Sequence, residues 1–229
     1  APKVSEFYCL TPDSDRAMPA GELAGLIRSK GLSARACTSS EDCLSEVLET
    51  AGEQPIMAFG SLYLAGELRK TAAKVLQKKQ RKKALAARNS LSGDYIKQAS
   101  RVICEKLISS DEFQNAKKIF VYKAVACEVR LDDLIEKAQS LGKEIYYPLC
   151  KDKSEMLALK PGPDTVWKEG SFGISEPSEA GSSEVKPDEL DLIICPLAGF
   201  DEAGNRIGMG GGYYDRFLAK AGSTKAIGV

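Results

Sequence analysis

The sequence predicts an α/β fold in which a central, mostly parallel or mixed sheet is flanked by helices and preceded by a small partial α/β segment. Short apolar runs alternate twice with helical patterns within the first 70 residues, and such alternation is typical of parallel sheets. After residue 90 the alternation returns over a longer stretch. It ends in the apolar run LDLIICPLAGF, which fits a buried parallel strand.

Residues 1–72 are predicted as the small segment, with two strand–helix cycles. EFYCL predicts a strand, TPDSD a capped turn, and the apolar spacing of residues 21–30 a helix. Residues 34–38 predict the second strand, and Ser39 and Ser40 cap the helix after it. IMAFGSLYLAGELRK follows, with Gly60 and Ser61 as a strand-to-helix turn. So few residues supply a core that this segment is expected to be marginal by itself.

Residues 73–90 are predicted as a basic linker that includes the start of a helix, QKKQRKKALAAR. Charge alone favours two interpretations equally: a solvated linker helix, or a helix whose cations face a polyanion. A nucleic acid is a poor candidate for that polyanion, because the run is short and lacks interleaved aromatic residues.

Residues 78–229 are predicted as the larger domain. Residues 92–108 and 131–141 have helical patterns, and Gly142 ends the second helix. KIFVYKAV, EIYYPLC and MLALK predict strands, with Pro148 ending the second of them or placing it at a sheet edge. Residues 161–187, rich in Gly, Pro, Ser and Glu, predict a long functional or disordered loop around SFGISEP.

Composition excludes several classes of function. Lys plus Arg equals Asp plus Glu at 32 each, so no overall charge draws the chain to nucleic acid or to a membrane. The absence of histidine excludes Ser-His-Asp and Cys-His catalysis and histidine-ligated metals. The seven scattered cysteines indicate reduced thiols. Without an apolar run long enough to span a bilayer or a signal-peptide pattern, we predict a cytoplasmic protein.

The stretch RIGMGGGYYDR, residues 206–216, has four glycines in five positions. Glycines let successive backbone N–H groups converge on an anion, next to the predicted helix that follows. Arg206 and Arg216 flank this predicted phosphate cradle, whereas the plain alternative is a flexible glycine loop. Asp215 is a candidate Mg²⁺ ligand or simply a helix N-terminal charge.

The motif NRIGMGGGYYDRFL, preceded by DLIICPLAGFD, is similar to the signature of the 5-formyltetrahydrofolate cyclo-ligase family. The similarity covers roughly residues 78–229 and includes, in the family's order, Arg81 and Arg88 followed by LS, then FVYKAVACEV, YYP and FGISEP. It implies an α/β ligase of one-carbon metabolism that uses ATP and Mg²⁺ to convert 5-formyltetrahydrofolate to 5,10-methenyltetrahydrofolate. The alternative is a fragment that binds folate or nucleotide without catalysis.

The same resemblance implies a role for individual residues. Arg206, Tyr213 and Glu128 are the implied catalytic residues. The implied ATP site comprises Lys78, Arg81, Arg206, Ile207, Gly208, Met209, Gly210, Gly211, Gly212, Tyr213 and Tyr214. The implied folate site comprises Lys123, Glu128, Phe172 and Tyr213, and Asp215 is the implied metal ligand. Two departures concern the ATP site: Met209 stands where the family commonly has arginine, and Lys78 substitutes for a lysine expected at Gln77.

The N-terminal segment has its own resemblance. LTPDSDRAMPAGELA, the second strand–helix cycle and MAFGSLYLAGELR resemble the end of the C-terminal domain of the folylpolyglutamate synthase family over residues 4–70. This implies a fragment of a fusion, with a folylpolyglutamate synthase domain upstream as a covalent partner. Because cyclo-ligases continue beyond the position of KAIGV, we also expect a C-terminal truncation that limits activity.

Overall fold

The structure is a computed structural model that describes residues 4–60, 62–170 and 173–229. The chain divides into two compact units, Ala1–Gln80 and Arg81–Val229. Helix α3 (Leu62–Asn89) begins in the first unit and ends in the second. No helix among the described residues has the length and apolar character needed to cross a lipid bilayer.

The first unit contains the two predicted strand–helix cycles. Its elements are β1 (Phe7–Cys9), α1 (Ala20–Ser29), β2 (Ala34–Ala36) and α2 (Ser40–Thr50). The strands pair in parallel, as the alternating pattern predicts. Ser39 caps α2 by accepting a hydrogen bond from the backbone N–H of Asp42 at 3.1 Å. The buried core of the strands and α1 consists of small side chains: Cys9, Ala20, Ala24 and Ala34.

The end of this unit differs from the prediction. Residues 56–59 form no strand, so a strand-to-helix turn at Gly60 is wrong, and Ser61 lies outside the described residues. The basic run is helical, as predicted, but belongs to the 28-residue helix α3. Ala, Leu, Lys, Arg and Gln, which are strong helix formers, dominate that segment and extend the helix through it.

The second unit is built on a six-stranded mixed sheet. The strands of this unit, of which six form the large sheet, are in chain order β3 (Lys118–Phe120), β4 (Glu144–Cys150), β5 (Met156–Pro161), β6 (Trp167–Glu169), β7 (Ser175–Pro177), β8 (Ser182–Val185), β9 (Leu192–Cys195), β10 (Gly199–Phe200), β11 (Arg206–Ile207) and β12 (Lys225–Gly228). The large sheet has the order β12-β9-β3-β4-β5-β8. The pairs from β12 to β4 are parallel, and those from β4 to β8 are antiparallel. The predicted mixed, mostly parallel sheet is confirmed.

Helices cover both faces of this sheet. They are α4 (Gly93–Ile108), α5 (Asp111–Asn115), α6 (Asp132–Ser140) and α7 (Tyr213–Ala219). Alternate residues of β9 enter different cores: Leu192 and Ile194 join the cluster of α4 and α6, whereas Ile193 joins that of α7. This alternation is expected of a strand that is buried on both faces. Helix α7, which follows the glycine-rich stretch, is therefore packed directly on the central strand β9.

Pro148 lies within β4, which continues to Cys150 between two other strands. The prediction that this proline ends the strand or marks a sheet edge is therefore wrong. The physical reason for the prediction still applies locally, because the ladder between β3 and β4 stops at the pair Phe120–Tyr146. Beyond that point β4 pairs only with β5 among the described strands, so a residue without an N–H group is tolerated.

The region 161–187 is more regular than the predicted long loop. Strands β6 and β7 pair in antiparallel fashion, and β8 forms an edge of the large sheet. The strands are only three or four residues long, which explains why composition outweighed periodicity in the prediction.

Candidate active site

A short hairpin delivers the glycine loop, residues 208–212, to the start of α7. Strands β10 and β11 pair in antiparallel fashion, and the predicted turn DEAGN connects them. The Asp201 carboxylate stabilises this turn by accepting hydrogen bonds from the backbone N–H groups of Ala203 at 3.0 Å and Asn205 at 2.8 Å. Ile207 pairs with Gly199, and its carbonyl accepts the Ala198 N–H at 2.7 Å. The loop is thus anchored on one side by a strand and on the other by a helix.

The backbone of the loop requires glycine at two positions. Gly210 has φ +106° and Gly212, which precedes α7, has φ +69°. Residues with a side chain rarely adopt this half of the φ range. Local backbone geometry therefore explains part of the glycine run without any ligand.

The glycines also leave room for three arginine side chains. A Cβ atom at Gly208 would lie 2.7 Å from Nη1 of Arg206, and one at Gly212 would lie 2.7 Å from Nη1 of Arg216. At Gly210 it would lie 3.3 Å from Nη1 of Arg81. The absence of side chains at these positions allows three guanidinium groups to converge on one short loop.

Arg81 and Arg216 hold this loop through backbone carbonyl groups. Arg81 donates from Nε to the Gly208 carbonyl at 2.7 Å. Arg216 donates from Nη2 to the Gly211 carbonyl at 3.0 Å, and it also donates to the carbonyls of Lys153 at 2.9 Å and Ser154 at 2.8 Å. Arg216 therefore braces the loop against the segment that joins β4 to β5.

Arg206 has a different partner, the predicted metal ligand Asp215. Arg206 Nη2 lies 2.5 Å from Asp215 Oδ1, and the Asp215 side chain is 74% exposed. The Arg206 guanidinium also lies 5.5 Å from the ring centroid of Tyr214. Among the described residues no group of three or more Cys, Asp or Glu side chains could hold a metal ion. Asp215 could thus contribute to a Mg²⁺ site only together with oxygen atoms of a bound phosphate and water.

Glu128 forms a second, buried side of the site, after β3. Only 6% of the residue is exposed, and its Oε2 accepts the backbone N–H of Val125 at 3.1 Å. Burial raises the pKa of Glu128 above its usual value, while the Val125 N–H and the nearby Arg88 guanidinium oppose that rise. Such an environment is typical of a functional carboxyl group.

Arg88, to which the sequence analysis gave no role, lies between Glu128 and the glycine loop. Its Nη1 is 4.0 Å from Glu128 Oε1 and donates to the Leu197 carbonyl at 3.3 Å. Its Nη2 is 4.0 Å from the sulfur of Met209. The sequence does carry a signal for this residue: Arg88 follows Arg81 by seven positions, or two helical turns, which places both on one face of α3.

The two tyrosines at the start of α7 have unlike surroundings. The Arg216 guanidinium lies 5.2 Å from the Tyr213 ring centroid. The Tyr214 hydroxyl is buried and has no hydrogen-bond partner within the described part of the chain. Burial raises the pKa of Tyr214 well above its usual value, so this hydroxyl remains a neutral donor.

Lys123 contacts aromatic residues that sequence reasoning did not select. Its Nζ lies 3.9 Å from the ring centroid of Trp167 and 5.9 Å from that of Tyr147. The two rings pack edge to face with centroids 5.2 Å apart. Trp167 lies in the region predicted as a loop, where no periodicity singled it out.

Two predicted residues contribute nothing to this description. Phe172 lies outside the described residues. Lys78 belongs to the first unit, where its Nζ lies 3.3 Å from Oε1 of Glu41. The remaining predicted residues cluster around the glycine loop or follow β3.

Comparison with known proteins covers the same part of the chain. The model of the 5-formyltetrahydrofolate cyclo-ligase family matches residues 73–228. A 5-formyltetrahydrofolate cyclo-ligase of Haemophilus influenzae is 36% identical over 123 residues, which cover 53% of this chain and 66% of that protein. A mouse 5-formyltetrahydrofolate cyclo-ligase is 31% identical over 148 residues, covering 62% of this chain and 70% of that protein. The matched stretch thus spans about two thirds of the length of these two relatives.

A solved structure shares the fold as well as the sequence. The NMR structure of Aquifex aeolicus 5,10-methenyltetrahydrofolate synthetase is 34% identical, with a TM-score of 0.59, and the match covers 67% of this chain and 77% of that one. The fold, the order of the motifs and the family match over most of the chain agree. The chain belongs to the 5-formyltetrahydrofolate cyclo-ligase family.

Proposed function

We propose that the chain binds ATP and 5-formyltetrahydrofolate and catalyses the ATP- and Mg²⁺-dependent formation of 5,10-methenyltetrahydrofolate. The observation that carries this proposal is the convergence of Arg81, Arg206 and Arg216 on a glycine loop that begins a helix. A polyphosphate carries enough negative charge to require several guanidinium groups, and backbone N–H groups at such a loop complement them. Family membership supports the folate as the second substrate.

The reaction we propose suits a chain without histidine. The formyl oxygen of the folate attacks the γ-phosphorus of ATP and ADP leaves, which gives a phosphorylated iminium at N5. N10 then attacks the formyl carbon and loses its proton, and inorganic phosphate leaves with the former formyl oxygen as the ring closes. Transfer of this kind depends mainly on alignment of nucleophile and phosphate and on neutralisation of charge, with little covalent work for side chains.

The arginines at the loop fit two separate tasks. Arg216 uses three N–H donors on carbonyl groups, so we assign it to holding the loop in shape. Arg81 makes one such bond, which leaves four N–H donors of its guanidinium for phosphate oxygens. Arg206 reaches phosphate once its ion pair with Asp215 opens, since the carboxylate and a phosphate would bind the same guanidinium group. We therefore assign charge neutralisation on the transferred phosphoryl group to Arg206 and Arg81.

Mg²⁺ bound at Asp215 and the phosphates would supply additional positive charge to the transferring group. An exposed carboxylate beside a phosphate site fits the habit of this ion, which is usually held by one or two carboxylates together with phosphate oxygens and water. Opening of the ion pair between Arg206 and Asp215 would then free Arg206 for the phosphates and Asp215 for Mg²⁺.

The folate side of the site is assigned to Glu128, Lys123 and Tyr213. Glu128 accepts hydrogen bonds when ionised, so it is suited to orient N–H groups of the folate ring system. Lys123 carries a positive charge next to two aromatic rings, a combination that suits the carboxylate and the flat rings of the folate. Tyr213 begins α7 directly after the glycine loop and is assigned to the junction of the two ligands. Phe172 remains a candidate from the sequence alone.

The test is ATP-dependent formation of methenyltetrahydrofolate from 5-formyltetrahydrofolate, followed by near-ultraviolet absorbance with and without Mg²⁺. Binding of each ligand is measured separately by calorimetry. Turnover that requires both ATP and Mg²⁺ supports the proposal. Binding of the folate and ATP without turnover would favour the alternative of a non-catalytic binding module, and no binding of either ligand by the folded protein would overturn both.

A further inference from the structure

The Arg88 guanidinium joins three separate segments of the second unit. It contacts Glu128 after β3, the Leu197 carbonyl after β9 and Met209 in the glycine loop. Its side chain is only 16% exposed, and its Nε is buried without a hydrogen-bond partner among the described residues. A single cation therefore lies between the candidate folate side and the candidate phosphate side of the site.

The partners of Arg88 compensate its burial only in part. A guanidinium remains charged at all accessible pH values, and taking it out of water is costly unless hydrogen bonds replace the solvent. The 3.3 Å bond to Leu197 and the 4.0 Å approach to Glu128 are both longer than the 2.7–2.9 Å typical of charge-assisted hydrogen bonds. A shorter ion pair would compensate the buried charge more fully. The open geometry instead favours a functional role for the charge.

We propose that Arg88 is a positioning residue, whose charge favours the ionised form of Glu128 and whose guanidinium fixes this side chain relative to the glycine loop. The proposal rests on the proposed function in that Glu128 orients the folate and the loop binds ATP. Arg88 itself touches neither reacting group in this assignment. Its effect on catalysis is to set the relative position of the two ligands through Glu128 on one side and through the segments of Leu197 and Met209 on the other.

The charge environment of Glu128 makes the proposal testable by pH. The groups that act on this carboxyl are Arg88 from α3, the Tyr122 hydroxyl after β3 and the Tyr214 hydroxyl from α7. Burial raises the pKa of both hydroxyls, so neither changes charge near neutral pH. Arg88 is the positive member of this set. Its removal should therefore raise the pKa of Glu128 further and protonate the carboxyl at a pH where the original protein keeps it ionised.

The experiment compares Arg88→Met, which keeps the length and loses the charge, with Arg88→Lys, which keeps the charge and loses the planar fork. Arg101→Met, at an exposed arginine on α4, is the matched control. The titration of Glu128 is followed by carbon-13 NMR of labelled glutamate, with Glu128→Gln to assign the signal. Calorimetry then gives the affinity for 5-formyltetrahydrofolate between pH 5 and pH 9, and steady-state kinetics separate kcat from KM.

We expect Arg88→Met to move the titration of Glu128 to higher pH, together with the pH below which folate affinity falls. We also expect kcat to fall by about a hundredfold, because the two ligands are then misplaced relative to each other. Arg88→Lys should restore the titration of Glu128 but only partly restore kcat, because one ammonium group cannot hold both segments. An unchanged Glu128 titration in folded Arg88→Met would overturn the proposal. If that variant does not fold, an Arg88→Lys protein with the kcat of the original would overturn it equally.

These readouts separate the proposal from the proposed function. If the unaltered protein neither binds nor converts 5-formyltetrahydrofolate, the proposed function fails, yet the NMR titration still decides whether Arg88 controls the ionisation of Glu128. If binding and turnover are present and Arg88→Met behaves like Arg101→Met, the proposed function stands and the role of Arg88 is refuted.

Discussion

The two sides of the candidate active site are built by opposite means. At the glycine loop, bare backbone makes room for arginine side chains, and these bond to carbonyl groups or to the exposed carboxylate of Asp215. On the other side, Glu128, the Arg88 Nε atom and the Tyr214 hydroxyl are buried, and the last two have no hydrogen-bond partner in the described part of the chain. The first side depends on shape, and the second depends on charge removed from water.

This difference determines how each side should respond to change. A loop held by steric fit and by neutral carbonyls should be insensitive to pH but intolerant of one added methyl group. A buried carboxyl with a distant cation should keep its shape after an isosteric replacement, yet lose its function when it no longer carries a negative charge. The following substitutions test that contrast, from the largest expected effect to the smallest.

Gly212→Ala should have the largest effect. The new Cβ atom would lie 2.7 Å from Nη1 of Arg216 and would displace the guanidinium that braces the loop. The matched control is Gly204→Ala, which has a similar φ of +82° but nothing within 4 Å of the added atom. Both variants should lose about 1–2 kcal/mol of unfolding free energy to the left-handed backbone. Only Gly212→Ala should lose turnover and ATP affinity, by about a hundredfold. Equal turnover in the two variants would refute a steric role for this glycine.

Glu128→Gln should weaken folate binding by about tenfold or more, because it removes one member of a buried charge pair and leaves Arg88 uncompensated. The amide oxygen can still accept the Val125 N–H, so the shape of this side is kept. Calorimetric titration of 5-formyltetrahydrofolate is the measurement. ATP affinity should change far less, and a comparable loss of both affinities would contradict the separation of the two sides.

The same substitution should also alter the pH dependence of stability. Burial raises the pKa of Glu128 in the folded protein above its ordinary 4.5, so the protonated form is favoured by folding. The resulting stability is present below pH 4.5 and is lost as pH rises through the folded pKa. Glu128→Gln lacks this loss. The unfolding free energy of the variant minus that of the original protein should therefore increase with pH across this window and then become constant, as measured by urea denaturation. A difference that falls with rising pH would show that the carboxylate is stabilised by the fold.

Asp215→Asn should have a smaller effect that is confined to the metal. We expect the Mg²⁺ concentration for half-maximal turnover to increase by about tenfold. Mutation of a residue that only hydrogen-bonds to a metal ligand already lowers metal affinity by about this factor. Stability should change by less than about 1 kcal/mol, because the ion pair with Arg206 is largely exposed on the aspartate side. Glu202→Gln, at another exposed carboxylate near the hairpin, is the control. An unchanged Mg²⁺ requirement would leave Asp215 as a partner of Arg206 only.

The fold was predictable where periodicity is strong. The fully buried β9 and the amphipathic α4, capped by Ser92 through the Tyr95 N–H at 3.2 Å, follow directly from their sequence patterns. The strands β6, β7 and β8 were missed, because three or four residues are too few to establish a period of two. Pro148 was misjudged because its tolerance depends on where the neighbouring strand stops, which is a property of the sheet and not of the segment.

The candidate site was predictable as a set of residues but not as a set of contacts. The sequence indicated the glycine loop and its arginines, but it predicted bare backbone for an anion, whereas the glycines also accommodate Arg81, Arg206 and Arg216. Asp215 was predicted as a metal ligand without its bond to Arg206. Arg88 received no role because its contact with Glu128 joins two segments that lie 40 positions apart in the chain. Contacts of this kind follow from the strand order, which residue spacing does not encode.

Lys123→Met should have the smallest effect. It removes a cation that lies 3.9 Å from the ring centroid of Trp167, and cation–π contacts at exposed positions contribute about 0.5–1 kcal/mol. We expect folate affinity to fall by only about two- to fivefold, because an exposed ammonium that contacts the folate contributes an energy of the same order. Trp167 is the single tryptophan of the chain, so its fluorescence reports on this side of the site alone. Lys97→Met, at an exposed position on α4, is the control. The emission of Trp167 should change in Lys123→Met and not in the control. If the two variants bind folate equally well, Lys123 packs on the indole ring without contacting the ligand, and recognition on the buried side then rests on Glu128.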